Sequence, residues 1–153
     1  MSKISDIFDD MNDEIAALLP GATQFPDVLS LDTQPTGYLT FGFGVVFGPA
    51  VNTNRELGCK LSIQRSMAVV LTRLIGATDT DTGAFSAAQK QILEDQFLLI
   101  RNWEQEVTLA NRKAKILFSG DGGLEVLATQ DQAGRFFVLT SDFSVEYFED
   151  ITP

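Results

Sequence analysis

Histidine is absent from this chain, and only one cysteine is present among its 153 residues. Without imidazole, the commonest general base and transition-metal ligand is missing, and every histidine-dependent nucleophilic triad is excluded. With Cys59 alone no intrachain disulfide can form, so a reducing compartment is compatible with the fold. Cys59 stands in an alternating apolar run and reads as a small buried thiol. Proline is missing between Pro49 and Pro153, so nothing in that stretch interrupts strand ladders or helices by removing an amide donor. No apolar run approaches the ~18–20 residues of a membrane span. Asp6, Asp9, Asp10, Asp13 and Glu14 break up what a signal peptide would keep apolar. The expectation is a soluble protein, intracellular where it is made.

Basic residues are few. Acids outnumber bases 21 to 11, for a formal charge of −10. That argues against a nucleic-acid reader, which needs cations to displace phosphate counterions; an acidic protein still suits a surface past which DNA slides without sticking. The imbalance is concentrated: residues 1–50 hold seven acids and only Lys3, and residues 101–153 hold nine acids against five bases. With 44% hydrophobic and 21% charged residues, the composition is that of an ordinary globular protein, and the length suits one domain spanning 1–153.

Periodicity divides the chain. Ile4, Ile7, Phe8, Met11, Ile15, Leu18 and Leu19 recur at helical spacing, with Ser2 as N-cap, acids in the first turns and Pro20-Gly21 as the stop, predicting a helix over 1–19. A connector over 20–37 carries Pro20, Pro26 and Pro35, with Phe25–Leu31 as a short edge strand. From Tyr38 the period is two: Leu39, Phe41, Phe43, Val45 and Phe47 share one face, and Thr40, Gly42 and Gly44 the other. The glycines opposite this row fit either the close approach of another backbone or subunit, or a glycine-relieved twisted strand. Residues 49–58 read as a polar hairpin loop joining strands 38–48 and 59–75. Arg65 and Arg73 fall on the apolar face of the second strand, so its ends are expected to project beyond the core as a ribbon. Together these make a long strand pair over 38–75.

Gly76–Gly83 reads as a loop. Ser86 and Gln89 have capping-box spacing, opening a second helix over 86–109 with Ala88, Ile92, Leu99, Trp103 and Val107 on its stripe, widened by Phe97 and Ile100. So broad a face implies cover on more than one side, and Trp103 is placed in the core. Strands over 113–149 follow, with Gly120-Asp121-Gly122-Gly123 as a hairpin turn, Asp131–Gly134 as another, and Phe137–Tyr147 as the last strand. The fold class is α+β: a mainly antiparallel sheet with two amphipathic helices on one face, in the order helix-strand-strand-helix-strand-strand.

Apparent motifs of chemistry fail. Gly42-Phe43-Gly44 begins a dinucleotide fingerprint, but Phe47 holds the third glycine position and no helix pattern follows. Asp79, Asp81 and Gly83 suggest a calcium loop, yet Ala84 and Lys90 stand where the glycine and the bidentate glutamate belong. A carboxylate pair among Asp142, Glu146, Glu149 and Asp150 is conceivable; Asp142 and Glu146 share their strand face with Thr140 and Ser144, the composition of a solvated surface. No catalytic residue, metal site or cofactor is expected.

An amphipathic first helix, Phe25-Pro26-Asp27-Val28, two long strands, one central helix, and a closing aromatic-acidic strand end (Val145-Glu146-Tyr147-Phe148-Glu149-Asp150) together resemble the tail terminator, or tail completion, proteins of long-tailed bacteriophages. The resemblance spans nearly the whole chain and is one of pattern, not of a single motif. It implies a non-enzymatic virion protein of the tail or neck, made in the bacterial host cytoplasm and assembling as a hexameric ring. That ring would cap the tail tube, meet a head completion or connector protein, and let DNA pass, with no membrane partner. An acidic lumen would repel phosphates during transit. The expected assembly residues are Phe41 and Phe43 of the row and Asn52, Asn54, Arg55 and Glu56 of the loop. Other readings are a different neck or tail-tube protein and, from another class, a carboxylate-based hydrolase or small ligand-binding domain.

Overall fold

The structure, a computed structural model, describes residues 3–25, 31, 36–57, 60–76, 82–104, 114–128 and 134–150. Helix α1 spans Lys3–Leu18, strand β1 Thr23–Gln24, helix α2 Thr36–Thr40, strand β2 Phe41–Leu57, strand β3 Lys60–Gly76, helix α3 Thr82–Glu104, strand β4 Ala114–Ala128 and strand β5 Arg135–Asp150. The five strands form one sheet in the order β1-β2-β3-β5-β4. All pairings are antiparallel except the two-residue parallel contact of β1 with β2.

Alternation sends successive side chains to opposite faces of the sheet. One face carries Phe43, Val45, Met67, Val69, Leu71, Leu139, Phe143 and Val145, which pack in one cluster with Ile7, Met11 and Ile15 of α1 and Ile92, Leu99 and Trp103 of α3. Trp103 is buried, its ring edge-on to Phe143 at 5.0 Å. Val70, Phe136 and Val138 point to the other face and form a second cluster with Phe25 and Leu39. Phe25 and α2 thus cover one end of the face away from α1 and α3. The sequence had no place for this third helix. Five residues starting Thr36-Gly37 leave too short a window for a helical period to register, and β2 begins at Phe41, not at Tyr38.

Three boundaries differ from expectation. The polar residues 49–57 are strand, not loop: β2 continues to Leu57 against β3, with irregularities between Phe47/Ala50 and Asn52/Glu56. Nor do β2 and β3 form a two-stranded ribbon, because β5 accompanies β3 down to Lys60↔Asp150. Helix α3 opens at Thr82, so Ser86 lies inside it, while Val107 and the rest of 105–109 fall outside the described residues. Gly120–Gly123 is no hairpin turn. β4 runs through it, with register shifts between Phe118/Gly120 and Asp121/Leu124. Gly120 and Gly123 have φ of 151° and 86°, a backbone open to glycine in bulges as readily as in turns. Cys59, Asp79, Asp81, Ser2 and most of the Phe25–Leu31 stretch also lie outside the described residues.

Candidate functional site

Helix α3 is fixed to its surroundings by polar side chains as well as by its apolar stripe. Arg73, on the helix-covered face of β3, donates through Nε and Nη2 to the two carboxylate oxygens of Asp95 at 2.7 and 2.9 Å. Its guanidinium carbon also lies 3.4 Å from the centroid of the Phe41 ring. Asp95 is buried, and the planar two-bond fork is the geometry that compensates a buried carboxylate. Arg73 is therefore held inside the two-layer packing, not projected past it. Gln96 donates to Ser141 Oγ at 2.9 Å and to Asp121 Oδ2 at 3.0 Å, and Asp121 Oδ1 accepts from the Gly123 amide at 2.8 Å. The two donors, Gln96 first, hold the Asp121 carboxyl below its ordinary range. The β4 irregularity is thus tied to α3 by a side-chain bridge.

The acidic side of α1 is not wholly solvated. Glu14 Oε1 accepts from Asn102 Nδ2 at 3.3 Å, joining α1 to α3. Burial pushes the Glu14 carboxyl up, against the opposing hydrogen bond from Asn102, and Asp10 adds to the rise.

The residues expected to mediate assembly separate into two groups. Phe43 is 1% exposed and belongs to the main core, and Phe41 packs on that core beneath Arg73; both rings are occupied within the subunit. Opposite them, the tight space at Gly42 is filled from within the same chain, not by another subunit. A side chain there would collide with the Phe25 ring and the Tyr38 carbonyl of the same chain. Asn52, Asn54, Arg55 and Glu56 lie on β2 by backbone, and their side chains fall outside the described residues.

Two surfaces emerge that the strand-by-strand reading missed. On the sheet face away from α1 and α3, register aligns Val51–Gln64–Glu146–Lys115, then Ser66–Ser144–Leu117, then Val46–Ala68–Asp142 across the strands. Small side chains in the centre leave a depression of about 540 Å³ lined by, among others, Val46, Gly48, Val51, Ser66, Ala68 and Ser144, with Asp142 at its side. Val51 on β2 and Leu117 on β4 flank it, 60% and 40% exposed. Small residues at one parity of β3 and β5 were visible in the sequence, but their alignment needs the register of four strands. The second surface is on α3. Leu93 and Phe97, at i,i+4 spacing, are 42% and 52% exposed, and Lys90 and Arg101 continue the same ridge, both exposed. Among the described residues, the broad apolar face read from the sequence is covered on the side of Ile92, Leu99 and Trp103 and open at Leu93 and Phe97.

Asp142 and Glu146 stand four residues apart on one strand face, so their Cα atoms are about 13 Å apart at ~3.3 Å per residue. Among the described residues no group of three or more His, Cys, Asp or Glu could hold a metal ion. No described helix is long and apolar enough to cross a membrane.

No protein-family model and no curated protein matches the chain. Among solved structures it is similar to a chain of "Virion of native gene transfer agent (GTA) particle", at 14% identity, over 92% of this chain and 91% of that one, with a TM-score of 0.33. Backbones that superpose so loosely transfer neither a site nor a role.

Proposed function

We propose that this protein is a structural subunit of a phage-like virion that works by assembly, in the manner of a tail terminator. In this reading it forms a ring, six-membered in the family it resembles, which caps the tail tube, receives a head completion or connector protein, and lets DNA pass. It carries out no catalysis and needs no cofactor. The observation that carries the reading is the set of large apolar side chains held out on ordered elements: Leu93 and Phe97 on α3, Val51 and Leu117 beside the sheet depression. Single exposed apolar residues are ordinary, whereas a neighbouring pair such as Leu93 and Phe97 is what an assembling protein presents. The element order supports it, as does the net charge of −10, which suits a channel wall that must not retain phosphates.

Tail tubes lacking their terminal component provide the test. Added protein is expected to arrest tube growth and permit joining to heads, with a ring of density at the tube end by electron microscopy. Tubes that keep growing and never join heads would reject the assignment.

A further inference from the structure

We draw no further inference here: the strongest candidate, the surface patch formed by exposed Leu93 and Phe97 on the outer side of α3, is an unpartnered apolar face, and nothing in the structure shows what covers it.

Discussion

The two faces of the sheet are built from adjacent residues of the same strands, yet they do opposite things. Met67 and Val69 of β3 and Phe143 and Val145 of β5 are sealed under α1 and α3, whereas Ser66, Ala68, Asp142 and Ser144, one residue away in each case, line the open depression. The covered face spends large side chains on the subunit's own stability. Among the described residues the other face is filled at one end, by Phe25 and Leu39 over Val70, Phe136 and Val138. The contrast separates what folds the chain from what is left to meet a neighbour, and substitutions should respect that line.

The covered face should break most severely. Leu99→Asp places a carboxylate in the centre of the α3 stripe, combining a lost side chain with an unpaired buried charge, and the expected loss of at least about 4 kcal/mol leaves the protein unfolded or insoluble. Circular dichroism like wild type would show the stripe is misplaced. Arg73→Ala should cost about 3 kcal/mol, because it leaves Asp95 buried without its fork. Urea denaturation measures it, and an unchanged midpoint would mean that the pair adds nothing. Gly42→Ala tests the small covered end of the opposite face. The added carbon meets the Phe25 ring and the Tyr38 carbonyl, and a loss of about 1–3 kcal/mol follows from overpacking.

Glu14→Gln is subtler. Burial raises the Glu14 carboxyl above its ordinary 4.5, so the folded state favours the neutral acid. That contribution is complete below about pH 4.5 and is lost as pH rises through the raised value. Glutamine keeps an acceptor for Asn102 without the charge, so its melting temperature at pH 7 should exceed wild type by a few degrees, with a flatter stability profile from pH 4.5 to 7. A profile parallel to wild type would place the carboxylate in solvent. Leu117→Thr, on the open face, should change stability by no more than about 0.5 kcal/mol, and a larger loss would mean this flank belongs to the core.

The same division decides how much the sequence revealed. α1 was legible because one stripe of Ile7, Met11 and Ile15 faces the sheet, and the strand parities of β3 and β5 because each alternates for many residues. Residues 49–57 were read as loop because polar side chains and Pro49 resemble a turn, although a ladder tolerates them at an edge where register slips. Glycine misled at 120–123 for a related reason: the conformations that close a hairpin also make a bulge. Arg73 looked unpartnered because Asp95 lies 22 residues on, on a different element. The depression was illegible strand by strand, since it exists only where β2, β3, β5 and β4 are laid side by side. The ridge is half legible: Phe97 widens the apolar stripe in the sequence pattern, whereas nothing in the spacing marks Leu93 as exposed.

Both long margins of the sheet are interrupted. On one side β4 slips register on either side of Gly120–Asp121 and is pinned there to Gln96; on the other β2 slips between Phe47 and Ala50, where the Gly48 carbonyl accepts from Arg65 at 2.9 Å. A strand from another molecule could therefore zip along only short lengths of either margin. Open-ended fibres, which grow by adding strands without limit, lose their template, and growth is steered to contacts that can come to an end.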